Sequence, residues 1–291
     1  MKTHAKICLV VRREQGMLRR YCHFGTGNYN ETTAKIYTDI SYLTCDDQLG
    51  ADASQFFNSV TGRTKLMRFR KLYPSPVLMK ARLIELIEGE AERARQGEPA
   101  RISAKMNSLQ DVEIIDALYR AADAGVDIEL NVRGICCLKT GPRPNGKVIR
   151  VVSIVDRYLE HARIFFFHHG GNHQLFIASA DWMTRNLDKR VELMVPVTNG
   201  KLETELVGVN FLASEGCLVT ERGQMPILRG FDAHGIDLDS AEGIVDDLRI
   251  RCGGNGAIRA DSDGQDGRNG HGHFGAVSYT HLRAHETGAY L

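Results

Sequence analysis

The alternation of apolar and polar positions sets the first expectations. Residues 5 to 13 are largely apolar, Glu14-Gln15-Gly16 is polar and turn-forming, and residues 18 to 24 turn apolar again, which reads as a β-hairpin. A further strand is expected over 35 to 44. Helical spacing follows from 48 to 60, with Gly62 placed to end that helix. A short strand is expected over 67 to 72, and Pro74-Ser75-Pro76 marks a boundary before an amphipathic helix over 77 to 95. Strand 101–106, helix 111–124 and strand 127–132 then form a β-α-β unit, and a strand over 191 to 197 closes the sheet. The pattern predicts an α/β fold with a parallel or mixed sheet.

One segment occurs twice. His4-Ala5-Lys6-Ile7-Cys8-Leu9-Val10-Val11 opens the chain, and His161-Ala162-Arg163-Ile164-Phe165-Phe166-Phe167 returns about half a chain later. In each copy a histidine sits two residues before a cation. An apolar run, a Gly-containing turn and a second apolar strand follow. Each copy then ends in a small polar cluster, Thr26-Gly27-Asn28-Tyr29-Asn30 in the first and Ser179-Ala180-Asp181-Trp182-Met183 in the second. In an extended strand residues i and i+2 project from one face, so His4 would sit beside Lys6 and His161 beside Arg163. Two such units facing each other make a pocket of two histidines and two cations, suited to a phosphoryl group.

Composition adds limits. The chain has 291 residues, 43% of them hydrophobic and 25% charged, enough for one large or two ordinary domains. A net charge of +1 supplies no global basic field for nucleic acid or membranes, so an anion must be held by a local cluster. The seven cysteines have no paired metal spacing, and their odd number fits reduced thiols in a cytoplasmic protein. No apolar run reaches transmembrane length. Residues 253 to 275 are rich in Gly, Asp, Asn and His and read as disordered, with His271 and His273 incidental to that tail. Residues 277 to 291 match no fold logic and read as non-native sequence.

Together these residues resemble polyphosphate kinase, specifically its C-terminal half, whose catalytic domains share the phospholipase D fold. The resemblance rests on His23-Phe24-Gly25-Thr26-Gly27-Asn28-Tyr29-Asn30, Ile36-Tyr37-Thr38-Asp39, Lys105-Met106-Asn107-Ser108-Leu109 and Val132-Arg133-Gly134-Ile135-Cys136. It rests most on Ser153-Ile154-Val155-Asp156-Arg157-Tyr158-Leu159-Glu160-His161 and Ser179-Ala180-Asp181-Trp182-Met183-Thr184-Arg185-Asn186-Leu187. It covers about residues 2 to 197. It implies two phospholipase D-like halves with mixed sheets flanked by helices. Residues 1–72 would be the remainder of a first, N-terminally truncated catalytic domain, 73–215 a second, and 216–291 a divergent tail. An unpaired sheet edge at the truncation is expected to promote aggregation.

The resemblance further implies reversible transfer of the ATP γ-phosphate to the end of inorganic polyphosphate. His4 would be the phosphohistidine, with nucleotide contacts at Tyr37, Arg133 and His161. His23 shares the motif region without being phosphorylated. It implies ATP, ADP and polyphosphate as partners and a homo-oligomer. It also implies magnesium as cofactor, with the family's magnesium arginines upstream of this sequence. His161 and Arg163 would face the nucleophile as phosphate ligand or proton donor, and Lys6 and Asn28 would touch phosphate. Plainer readings stand beside these: His161 as a histidine hydrogen-bonded in a core, Tyr37 as a packing aromatic, Arg133 as a surface cation. Asn30, Lys105 and Asn107 are further candidate contacts, while His168 and His169 are expected in solvent. Two rival functions remain: a phospholipase D-type phosphodiesterase, against which Arg163 stands where that pattern has lysine, and a non-catalytic polyanion-binding remnant.

Overall fold

The computed structural model describes residues 1–63, 68–154 and 159–198, together with the backbone of 227–229. The strands of the first copy are β1 (Lys2–Thr3), β2 (Lys6–Glu14) and β3 (Met17–Gly25), followed by α1 (Glu31–Ala34), β4 (Tyr37–Thr38), β5 (Ser41–Thr44) and α2 (Asp47–Val60). Then come β6 (Tyr73–Ser75), α3 (Met79–Arg95), β7 (Arg101–Met106), α4 (Val112–Ala124), β8 (Asp127–Val132) and β9 (Arg150–Val152). The second copy supplies β10 (Leu159–Glu160), β11 (Ile164–Phe167), β12 (Gln174–Ala178), α5 (Thr184–Lys189) and β13 (Arg190–Val197), and β14 (Ile227–Arg229) lies beyond.

The hairpin of β2 and β3 turns through Gln15 and Gly16, whose φ angles of 48° and 82° match the twist of the flanking strands. Each long helix follows its apolar stripe. Met79, Leu83, Leu86, Ile87 and Ala91 of α3 are buried, as are Ile114, Ile115, Leu118, Ala121 and Ala122 of α4. Asp111 caps α4 by accepting from the Ile114 N–H, and Gly125 ends it at φ 106°.

The large sheet runs β1-β13-β12-β11-β7-β8-β9, with β6 on β13; a smaller one runs β14-β5-β3-β2. Strand β11 is buried on both faces. Phe165 and Phe167 join α3 and α4 in one core, while Ile164 and Phe166 face a second core with Phe24, Tyr42, Leu49 and Phe56. The smaller sheet and α2 therefore pack against the side of the large sheet opposite α3 and α4.

Two expected strands differ. Residues 35 to 44 are split: Asn30 caps a helical turn by accepting from Thr33 N, and β4 pairs only with β10. Between 68 and 72 there is no strand, because buried Asp52 accepts the backbone N–H groups of Arg70, Lys71 and Leu72 at 2.7–3.1 Å. A side chain thus replaces a ladder partner. His169 lies against α3 rather than in solvent, its N–H donating to Glu90 at 2.6 Å and its ring meeting Arg93 at 3.2 Å, and His168 is half-buried with its ring 5.4 Å from that of His173. The segment 253–275 and residues 271, 273 and 277–291 fall outside the described residues.

Candidate active site

Two short parallel bridges between the copies build the site. In β1 against β13, Lys2 faces Arg190 and Thr3 faces Val191, so the next residue on each side brings His4 beside Glu192. In β10 against β4, Leu159 faces Tyr37 and Glu160 faces Thr38, so His161 arrives beside Asp39. The amide N–H groups of both histidines continue the bridges, His4 to Val191 at 2.8 Å and His161 to Thr38 at 3.1 Å. Each copy thus gives its histidine to a carboxylate of the other.

The side-chain geometry repeats as well. His4 Nδ1 lies 2.9 Å from Glu192, and His161 Nδ1 lies 2.8 Å from Asp39. Glu192 is fixed by Ser179 Oγ at 2.6 Å and Asn186 Nδ2 at 2.6 Å; Asp39 is fixed by Thr26 Oγ1 at 2.7 Å. Each hydroxyl in turn accepts the N–H that follows its carboxylate, Leu193 to Ser179 at 3.0 Å and Ile40 to Thr26 at 2.9 Å. The predicted cations lie against both nitrogens of each ring, Lys6 Nζ 2.9 Å from His4 Nε2 and 3.0 Å from its Nδ1, and Arg163 Nη1 3.0 Å from His161 Nε2 and 3.2 Å from its Nδ1. With Nδ1 donating to a carboxylate, Nε2 keeps the lone pair in both rings.

Arg163 is tied by a two-pronged ion pair to Asp181, at 3.1 and 3.2 Å, and the Asn107 N–H also donates to Asp181 at 2.8 Å. Arg133, just past the end of β8, donates to Asn107 Oδ1 at 3.0 Å. Tyr37 packs its ring 4.7 Å from that of His161. Lys105 pairs with Glu160 at 2.6 Å, next to His161 in sequence. Asn28 stands apart: it is exposed and lines a small cavity of about 40 Å³ with His23, Tyr29, Thr33 and Asp39. Asn30 is spent on its helix cap. Asp39, Asp181 and Glu192 entered no expectation as site residues, although they hold three of the predicted side chains, His161, Arg163 and His4.

Burial dominates the electrostatics. It lowers Lys6 to about 7, with Arg163 adding to the shift and Glu192, Asp39 and Asp181 opposing it. It lowers His161 to about 4, again with Arg163 adding and Asp39 opposing. Burial would raise Asp181, but the Arg163 guanidinium and the Asn107 N–H outweigh it and hold that carboxyl low. His161 is therefore neutral near pH 7. A histidine depressed on folding contributes stability that is fully present above its unfolded value near 6.5 and is lost as pH falls through about 4. We expect denaturation midpoints to fall across that window. His161→Gln should recover part of the loss, at most about 3 kcal/mol by the size of the shift. The remainder belongs in part to His23, which burial also lowers to about 4. A slope unchanged in His161→Gln would contradict this assignment.

Known proteins resemble this chain over about two thirds of its length. Residues 1–66 match the model of polyphosphate kinase C-terminal domain 1, and 72–212 match that of C-terminal domain 2. The polyphosphate kinase of Rhodopirellula baltica is 59% identical over 197 residues, 68% of this chain and 23% of the relative. That of Thermosynechococcus vestitus is 50% identical over 206 residues, 71% of this chain and 28% of the relative. The chain thus spans about a quarter of the length of these relatives. The crystal structure of polyphosphate kinase from Porphyromonas gingivalis superposes with a TM-score of 0.66 at 40% identity, over 71% of this chain and 32% of its own. With two successive family models matched across most of its length, and mixed sheets that superpose on a solved relative, this chain belongs to the polyphosphate kinase family and carries its C-terminal region.

Proposed function

We propose that the chain acts in reversible transfer of the ATP γ-phosphate to the end of inorganic polyphosphate, with His4 as the nucleophile. The observation that carries this reading is the 2.9 Å contact between His4 Nδ1 and fully buried Glu192. It holds the ring in the tautomer that leaves Nε2 able to attack phosphorus. Glu192 also offsets the charge the ring acquires when Nε2 bonds to phosphorus, and keeps the Nδ1 proton in place.

The surrounding cations serve the transferring group. Lys6 and Arg163 now rest against the ring nitrogens and are the donors nearest an incoming phosphoryl oxygen. Phosphate charge draws Lys6 back to its protonated form, reversing the effect of its burial. Arg163, held by Asp181 and by the His161 and Thr26 carbonyls, keeps its guanidinium charge beside the transferring group. Arg133 lies at a strand end, where α/β sheets present ligand contacts, and its bond to Asn107 orients it toward the same space. Tyr37 supplies an aromatic face beside His161 for a nucleotide. His161, neutral at pH 7, enters as a phosphate contact; a bound polyanion would have to raise it before it could donate a proton. The leaving group is a phosphate oxygen of ADP and needs little protonation.

Among the described residues no cluster of three or more His, Cys, Asp or Glu side chains could hold a metal ion. The site carboxylates are taken by His4, His161 and Arg163. We take magnesium to arrive with the substrate, as counter-ion of the nucleotide phosphates.

Incubation with polyphosphate, ADP and magnesium tests the reading, with ATP formation followed by luciferase. ATP formed by the chain and lost in His4→Ala is the expected result. Polyphosphate retained without ATP would replace the reading with polyanion binding, and phosphate release independent of ADP would point to hydrolysis.

A further inference from the structure

We propose that His161 is a second phosphoryl acceptor, taking a phosphoryl group on Nε2 from ATP or from the end of a polyphosphate chain. This rests on the reading above and extends it to a residue that the resemblance casts only as a contact or proton donor.

The two histidines sit in matching settings. Each follows a two-residue parallel bridge to the other copy, and each places Nδ1 at 2.8–2.9 Å from a carboxylate. Both carboxylates are held by a hydroxyl 13 residues earlier, at 2.6 and 2.7 Å. Each ring has a cation two residues onward in sequence, at 2.9 and 3.0 Å from Nε2 and 3.0 and 3.2 Å from Nδ1. The carboxylate, the hydroxyl that holds it and the neighbouring cation found at His4 are present again at His161. Arg163 must leave Nε2 for a phosphoryl oxygen, as Lys6 must leave His4.

The step balances without a further reagent. The Nε2 lone pair forms a bond to the terminal phosphorus. The bond from that phosphorus to the bridging oxygen breaks, and its electron pair leaves with ADP or the shortened polymer. The Nδ1 proton stays on the ring, shared with Asp39, which offsets the new positive charge. Transfer back to a terminal phosphate oxygen reverses each change.

The two sites differ in one respect that predicts behaviour. His161 is buried more deeply than His4, their side chains being 10% and 20% exposed, and burial with Arg163 pushes its ring below the ordinary imidazole range. A less basic nitrogen is a better leaving group, so phosphate on His161 should be shorter-lived and should accumulate to a lower level.

Phosphate mapping of the full chain tests this. The protein is mixed with magnesium and either ATP or polyphosphate, quenched in alkali at successive times, and digested with trypsin. Phosphate is then located on the peptides spanning residues 3–6 and 158–163. We expect phosphate on both in the wild type, on 158–163 alone in His4→Gln, and on 3–6 alone in Asp39→Asn. Phosphate confined to 3–6 at every time, with none in His4→Gln, would overturn this proposal and leave the functional reading intact. Phosphate on neither peptide would overturn both.

Discussion

Glu192→Gln is expected to lower phosphoryl transfer by about 10³- to 10⁴-fold, the scale seen when a carboxylate that fixes a catalytic imidazole is made neutral. The substitution keeps the volume of a side chain that is fully buried, and Ser179 and Asn186 still pack against it. What changes is the demand made on His4. A carboxylate accepts from Nδ1, whereas an amide that presents its NH₂ favours the tautomer with the proton on Nε2. The lone pair then points away from the phosphorus. The neutral amide also fails to offset the charge on the ring after attack. ATP formation from polyphosphate and ADP, compared at matched folded fraction, measures the effect. Turnover within a few-fold of wild type would show that Glu192 supports the fold and not the nucleophile.

Asp181→Ala is expected to destabilise the protein by about 3–5 kcal/mol, the usual consequence of leaving a buried charge without its partner. Arg163 and Asp181 are 3% and 6% exposed, so water cannot substitute for the lost carboxylate. The Asn107 N–H loses its acceptor at the same time. Arg163 also donates to the His161 and Thr26 carbonyls at 2.9 and 3.3 Å, so its displacement would disturb the loop that holds Asp39. The midpoint of urea unfolding measures this. Leu187→Ala, a fully buried change that removes no charge, serves as a comparison. A midpoint for Asp181→Ala near that of the wild type would mean that Arg163 finds another partner.

Much of this arrangement can be read along the chain, because it depends on short spacings. Histidine and cation two residues apart lie on one strand face, and both pairs meet as expected. The helices and the β-α-β unit follow from apolar periodicity and from caps such as Asp111 and Gly125. The failures come from long-range partners. Glu192 lies 188 residues from His4 and Asp39 lies 122 from His161, and the bridges that join them are two residues long, too short to show as strands. A signal for them existed nevertheless. Thr26 to Asp39 and Ser179 to Glu192 share one spacing, 13 residues, starting from the polar clusters that end each copy. Asp52 is a different case. Its capture of the Arg70 to Leu72 amides depends on where α2 falls in space, which no local pattern carries.

The most direct test of the account is covalent labelling of the chain with γ-labelled ATP and magnesium, with His4→Ala alongside. The account predicts an acid-labile, base-stable label whose amount on residues 3–6 drops to zero in His4→Ala. A folded, ATP-binding protein that never acquires label on His4 would contradict it, and would leave the paired histidines as a binding site alone.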